Sequence, residues 1–302
     1  MRAGILTNAA GIVGDVAHGL LDAALPQTCV ACGQWLPSGA GVACPACHSQ
    51  IGVVMALPYC SRCGRTLPRS AIHEDGCARC KSEQHWNVAG VARVGLYTPA
   101  IRSLTVGLKY RGHERMADYM ASWLAAALRG RGWLPALDAL IPVPMHWLRR
   151  AQRPCDHARV LADALARRLK LPVLRPVQRT KHSPSQTGLT TRAARFENVK
   201  GCFGVPRWYV PPWPKPSVRG KTVCIVDNLM STGATIIEVS KVLRRAGAKR
   251  VFAAVIARPA ATGDPGMRII PESAVPEATR AFPDFPATVH KAAAEIPQHT
   301  SP

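Results

Sequence analysis

Eight of the chain's 11 cysteines fall in four C-x-x-C pairs: Cys29/Cys32, Cys44/Cys47, Cys60/Cys63 and Cys77/Cys80. A C-x-x-C turn aims two thiolates at one point, and two such turns complete a tetrahedral zinc site. The segment carrying the pairs is poor in large apolar side chains, so bound zinc would have to supply its folding energy. A disulfide framework requires an oxidising compartment, and a thioredoxin-like redox pair comes singly beside a βαβ pattern. Four successive pairs fit neither. Eight filled positions leave no open coordination site, so two structural zinc ions are expected.

Which pairs combine stays open at this level. Gaps of 11, 12 and 13 residues separate successive pairs and are too even to reveal partners. Sequential pairing joins Cys29, Cys32, Cys44 and Cys47 in one ribbon and Cys60, Cys63, Cys77 and Cys80 in another. Crossed pairing needs longer loop closures and ranks second. His48, His73 and His85 read as solvated residues rather than ligands, and Cys224, in an apolar run, as a buried thiol.

Ahead of the ribbons, residues 1–26 read as an amphipathic helix stopped by Pro26. Asn8, Asp15, His18 and Asp22 interrupt the apolar stretch that a signal peptide would need. No run of about 18 apolar residues occurs, so no spanning helix is expected. Together with the reduced cysteines this places the chain in the cytoplasm.

Charge divides the chain further. The net charge is +21, from 39 Lys and Arg against 18 Asp and Glu. Residues 1–87 hold six basic and five acidic residues, residues 88–257 hold 29 and eight, and residues 258–302 hold four and five. The surplus lies wholly in the middle segment, where it predicts attraction to nucleic acid or to phosphate-rich ligands.

That segment, 88–258, alternates strands and helices. Strands are expected at 88–97, Ala139–Val143, Val173–Val177, Thr222–Val226 and Val251–Ile256. Helices are expected over Pro99–Tyr110, Arg115–Leu128, Asp156–Leu171 and Thr235–Arg245, with Gly247 as a C-cap. Such alternation means a parallel sheet flanked by helices. Residues 205–219 form a Pro-rich insert, and residues 259–302, rich in Pro and Ala, read as a disordered tail.

The sharpest chemical signal is VCIVDNLMSTGATI, starting at Val223. An apolar strand ends at Asp227, where open α/β sheets bind ligands. Ser231, Thr232, Gly233, Ala234 and Thr235 then open a helix, so backbone N–H groups, hydroxyls and the helix dipole can converge on a phosphate. Asp227, four residues upstream, is placed to grip ribose hydroxyls. The plainer alternative is a strand–turn–helix connection in which Thr235 and Glu238 form a capping box.

These residues resemble the 5-phosphoribosyl-1-diphosphate (PRPP) motif of type I phosphoribosyltransferases. Further segments narrow the likeness: Leu20–Cys32; Tyr97 with Leu108-Lys109-Tyr110-Arg111-Gly112; Ile141-Pro142-Val143-Pro144 with His146; and Arg179-Thr180, Gln186, Leu189, Arg195, Asn198 and Phe203. Together they resemble the ComF/GntX family. The resemblance implies an α/β, type I phosphoribosyltransferase-like domain over 88–258, preceded by a small double zinc ribbon over 27–87, in a protein acting in DNA uptake and natural competence. Two departures stand out. The motif's two acids are here Asp227 and Asn228, and the R-G-F-N-Q segment is Arg153-Pro154-Cys155-Asp156-His157.

The resemblance implies PRPP or another sugar phosphate as ligand, with Mg²⁺ accompanying PRPP. Asp227 and Asn228 would face the ribose and the reacting carbon. Arg149, Arg150 and Arg153 would hold the diphosphate, while Gln186 and Arg195 would close over it. Single-stranded DNA and a protein of the DNA-import machinery are the expected macromolecular partners. Two other readings compete: an active nucleobase phosphoribosyltransferase of nucleotide salvage, and a non-catalytic interaction module with a vestigial sugar-phosphate site.

Overall fold

The computed structural model describes residues 28–37, 41–82, 88–111, 114–183, 189, 191–206 and 216–260. The expected N-terminal helix, His85, Gln186, most of the Pro-rich insert and nearly all of the expected tail lie outside the described residues. Helix α1 (Pro45–Ala56) starts within the second cysteine pair and α2 (Ala78–Ser82) within the fourth. Then follow β1 (Val91–Leu96), α3 (Pro99–Arg111), α4 (Glu114–Arg129), β2 (Ala139–Pro142), α5 (Trp147–Ala151) and α6 (His157–Leu169). The chain continues through β3 (Gln178–Arg179), α7 (Arg192–Val199), β4 (Phe203–Gly204), β5 (Thr222–Leu229), α8 (Ala234–Arg245) and β6 (Arg250–Arg258).

Four strands form one sheet in the order β1-β6-β5-β2, and every pairing is parallel. Seven of the eight residues of β5 and eight of the nine of β6 are buried. Unbroken burial is what a sheet covered on both faces requires, and it explains the near-continuous Val/Ile/Ala runs in place of alternation. Gly247 ends α8 with a positive φ of 91°, as its position after the last apolar turn predicts.

The expected strand Val173–Val177 is a correction. Only Val173 pairs with the sheet, as a single bridge to Leu140. Pro172 and Pro176 flank it, and a proline cannot donate to a ladder. The chain instead turns away into β3, which pairs antiparallel with β4. Between β3 and β4, Thr191 caps α7 by accepting from the Ala194 amide.

Each face of the sheet has its own core, and each core absorbs one cysteine tetrad. Ala92, Val94, Leu140, Cys224, Val226 and Ala254 pack with Leu124 of α4, Leu161 of α6 and Ile51 and Val54 of α1, a cluster that includes Cys29, Cys44 and Cys47. On the other face Val91, Ile141, Ile225 and Val255 pack with Ile236 and Leu243 of α8, and with Cys60, Cys63, Cys77 and Cys80. The ribbons are therefore continuous with the apolar interior of the sheet. Cys224 is fully buried, and burial pushes its thiol far above the usual range.

The contact between α1 and β1 depends on Gly95. A Cβ there would lie 2.6 Å from Val54 Cγ2 and 3.2 Å from the Val54 carbonyl carbon. Helix α1 would have to shift, so Gly95→Ala should lower stability by about 1–3 kcal/mol. Urea unfolding checks this, and an unchanged midpoint would refute the close approach. Among the described residues no helix is long and apolar enough to cross a membrane.

Candidate functional site

The cysteines group sequentially. Cys29, Cys32, Cys44 and Cys47 form one tetrad and Cys60, Cys63, Cys77 and Cys80 the other, the ligand atoms of each lying within 4.8 Å of one another. Cys32 and Cys44 are 3.8 Å apart at sulfur, as are Cys60 and Cys80, and Cys63 and Cys77. A tetrahedron with Zn–S of about 2.3 Å has an edge of about 3.8 Å. The sulfurs thus stand at the spacing of a zinc tetrathiolate and far beyond disulfide bonding distance. Backbone amides support the thiolates: the Cys44 N–H donates to Cys29 Sγ and the Cys47 N–H to Cys44 Sγ. His48 is exposed and belongs to neither tetrad; its Nδ1 pairs with the Tyr119 hydroxyl at 3.1 Å, and its ring packs on Trp123.

The second centre lies at the carboxyl end of β5. The strand runs three residues past its expected end, so Asp227 and Asn228 lie within it and are anchored by the pairing of Asp227 with Val255. Both are buried. Asp227 Oδ1 accepts from the Asn228 amide at 2.8 Å. The Asn228 side-chain nitrogen Nδ2 is buried without a hydrogen-bond partner. An orphaned donor of this kind is costly unless a ligand or water completes it.

Beyond Met230 the chain turns through Ser231 and Thr232 to Gly233, whose φ of 84° only glycine adopts freely and which forms the N-cap of α8. The capping box of Thr235 and Glu238 does not form. Gly233 caps without a side chain, and Glu238 instead accepts from Lys241 Nζ and from the Gly201 amide. The first turn of α8 thus stands beside Asp227 with its dipole and amides directed at the loop. Thr232 Oγ1 accepts from the Ala234 amide at 3.4 Å, and Arg192 of α7 donates to the Thr232 carbonyl at 3.2 Å.

Two side chains that sequence reading gave no role, Lys109 and Asp156, act on the Asp227 carboxylate, and His157 lies near Lys109. Lys109, at the end of α3, has its ammonium pKa lowered by burial, with Asp227 as its counter-charge and Arg153 opposing it. Burial raises Asp156 as well. His157 is pushed down to about 3, first by burial and then by Lys109 and Arg153, so it is neutral. Its Nδ1 is a second buried atom without a partner. The Cys155 thiol donates to the Leu108 carbonyl at 3.2 Å, tying the 153–157 segment to the end of α3. Burial lifts Asp227 itself to about 6, against the Asn228 amide and Lys109, which lower it. Lys109 stood inside the Leu108–Gly112 signature, and a lone lysine on the buried end of an apolar helix was the signal available.

The three candidate diphosphate arginines separate. Arg153 faces Lys109 and His157. Arg149 donates to the Ser183 carbonyl at 2.7 Å, beside Arg179, which donates to Ser183 Oγ. Arg150 is exposed. Arg195, in α7, is held by the Leu189 carbonyl at 2.8 Å.

Two thiolate tetrads and a helix-capped loop beside a buried Asp–Asn pair define a class: a double zinc ribbon joined to a phosphoribosyltransferase-like sheet. Residues 20–86 match the double zinc ribbon domain and residues 154–270 the phosphoribosyl transferase domain. Competence protein F of Haemophilus influenzae is 30% identical over 213 residues, 69% of this chain and 86% of that one. The DNA utilization protein YhgH of Escherichia coli K12 is 27% identical over 232 residues, 75% of this chain and 95% of that one. A shorter stretch of 37 residues is 51% identical to a ribose-phosphate pyrophosphokinase of Pyrococcus furiosus, covering 12% of this chain and 13% of that one. The chain belongs to the ComF family.

Proposed function

We propose that this protein binds PRPP or another sugar phosphate at the loop from Asp227 to Thr235 and acts in the uptake and use of DNA, contacting single strands through its basic domain. The observation that carries the ligand reading is the orphaned side-chain nitrogen Nδ2 of Asn228 beside Asp227 at the carboxyl end of β5, next to a glycine-capped helix start. The short likeness to a ribose-phosphate pyrophosphokinase supports a ribose-phosphate ligand. The names of competence protein F and of the DNA utilization protein support the process. Thiolate tetrads fit the reducing cytoplasm.

Asp227 and Asn228 would meet the ribose hydroxyls, and Ser231, Thr232 and Thr235 with the amides of Gly233 and Ala234 would hold its phosphate. Arg153, Lys109 and the neutral His157 would meet the diphosphate of PRPP. One buried carboxylate and one amide oxygen form a thin donor set for Mg²⁺, but that ion keeps several waters and substrate phosphates as ligands, so they suffice. When bound, it offsets diphosphate charge. For DNA, Trp147 is 68% exposed, and Arg150, Lys181 and His182 are exposed on the same domain. An aromatic face among cations suits single strands.

Isothermal titration with PRPP and Mg²⁺ tests the ligand. Micromolar binding that weakens at least about tenfold in Asp227→Ala, roughly 1.4 kcal/mol, is expected; no heat with the native chain would leave the interaction-module reading standing. Labelled single-stranded DNA, titrated at two salt concentrations, should bind with an affinity that falls steeply as salt rises. Absent or salt-indifferent binding would refute the DNA contact. Release of diphosphate with any nucleobase would favour the salvage transferase instead.

A further inference from the structure

We propose that the zinc of the second tetrad is the counter-charge of the buried arginines Arg93 and Arg258, and that this ionic core fixes the root of the phosphate loop, a role the first tetrad does not share. The inference does not depend on what the loop binds.

Arg93, in the edge strand β1, is 1% exposed. None of its three guanidinium nitrogens has a hydrogen-bond partner. Its guanidinium lies over the Tyr59 ring at 4.6 Å, and that of Arg131 lies over the same ring at 4.5 Å. A ring quadrupole attracts each cation but neutralises neither. Arg258, at the end of β6, is 3% exposed and donates to the Cys63 carbonyl. Buried cations require a compensating anion, and among the described residues no carboxylate accepts from Arg93.

The second tetrad supplies one. Zinc deprotonates its thiols, so one Zn²⁺ with four thiolates carries a net charge of −2. The tetrad is locked against the strands that bear the arginines. The Val91 amide donates to the Ser61 carbonyl at 2.7 Å, inside the third C-x-x-C turn, and the Arg93 amide donates to the Tyr59 hydroxyl at 3.2 Å. Burial lowers Arg93 to about 10, Tyr59 and Cys63 acting to raise it and Arg258 and Arg131 to lower it.

The same turn reaches the phosphate loop. Gly64, with φ +74°, is closely enclosed: a Cβ would lie 3.1 Å from Val91 Cγ1, 3.2 Å from Met230 Cε and 3.7 Å from Arg258 Cδ. Met230 is the residue before Ser231 and is fixed to β6 by its amide, which donates to the Ala257 carbonyl. Cys63, Arg258, Met230 and the loop therefore form one packed chain. The first tetrad clusters instead with α1, α4 and the opposite face.

Charge can be changed while the metal is kept. Cys77→His replaces one thiolate by a neutral ligand and takes the site from −2 to −1; Cys77 borders a surface cleft of about 290 Å³ that gives an imidazole room. In the native tetrad, Arg93→Met should lower the melting temperature by about 4 °C or more. In the Cys77→His background the same change should cost less than half of that, because the charge it balanced has diminished. Combined with Cys44→His in the first tetrad, Arg93→Met should cost its full amount. Amide exchange over residues 229–234 should quicken about tenfold in Cys77→His and stay within about twofold in Cys44→His. Equal costs of Arg93→Met in all three backgrounds would overturn the proposal. Should Cys77→His fail to fold, the release of zinc to a chromophoric chelator decides: Arg93→Met and Arg258→Met should each speed the loss of one of two ions about tenfold, and unchanged release would refute the pairing.

Discussion

Chelating both metals should abolish the cooperative unfolding of the entire described chain rather than melt the ribbons alone. The expectation follows from where the cysteines sit. Cys29, Cys44 and Cys47 share a core with strands β5 and β6 and helices α4 and α6, and the second tetrad shares the opposite core with α8. Structural zinc contributes about 10–16 kcal/mol of apparent binding energy in small ribbons, whereas a whole domain is stable by only about 5–15 kcal/mol. Two such contributions exceed anything the sheet could lose and remain folded. With zinc, thermal scans by far-UV circular dichroism should show one transition. With a strong chelator the helical signal should fall at all temperatures, and added zinc should restore it. A chelated protein that keeps a sharp transition with most of its helix signal would mean that the sheet folds without its ribbons.

The cysteine pattern announced both metal sites, because a C-x-x-C pair is a local geometry and needs no partner to be recognised. The main strands were equally plain, since a strand covered on both faces is an unbroken apolar run: β5 and β6 occupy their expected places, each three residues longer than expected. The loop at Gly233 was legible from a glycine and hydroxyls after an apolar strand, although the helix begins at Ala234 on a glycine cap and not on a Thr235 box. What escaped was whatever depends on residues far apart in the chain. Lys109 and Asp156 act on Asp227 across 118 and 71 positions of the chain, a convergence no periodicity encodes. Helix α7 carries its apolar contacts on Phe196 and Val199 alone, too few for a helical stripe. The attachment of the ribbons to opposite faces of the sheet rests on Ile51, Val54 and a missing Cβ at Gly95 for the first, and on Ser61 and Gly64 against Val91 for the second. That fit is a matter of shape, and composition does not report it.

Asp227→Asn should stabilise the protein at neutral pH while removing its ligand affinity. Burial holds the Asp227 carboxyl at about 6, above its ordinary value of 3.8. A group whose pKa is raised by folding binds its proton more tightly in the native state. Its contribution is therefore fully present below about pH 4 and is lost as the pH climbs through 6. The shift of about two units amounts to about 3 kcal/mol, the cost of keeping this buried carboxylate ionised at pH 7. Asparagine reproduces the protonated shape without the charge. The variant should melt about 6–12 °C above the native chain at pH 7, and the gap should close as the pH approaches 4. An equal melting temperature at pH 7 would exclude a strained carboxylate. A charge retained at such a cost belongs to a site that uses it, in keeping with the trade between stability and activity. Adding PRPP and Mg²⁺ should reverse the order: ligand raises the native chain by mass action and leaves the variant where it was. Asn228 fits the same logic, since a second carboxylate beside Asp227 would force one of the two to stay protonated, whereas the amide offers hydrogen bonds at no further cost in buried charge.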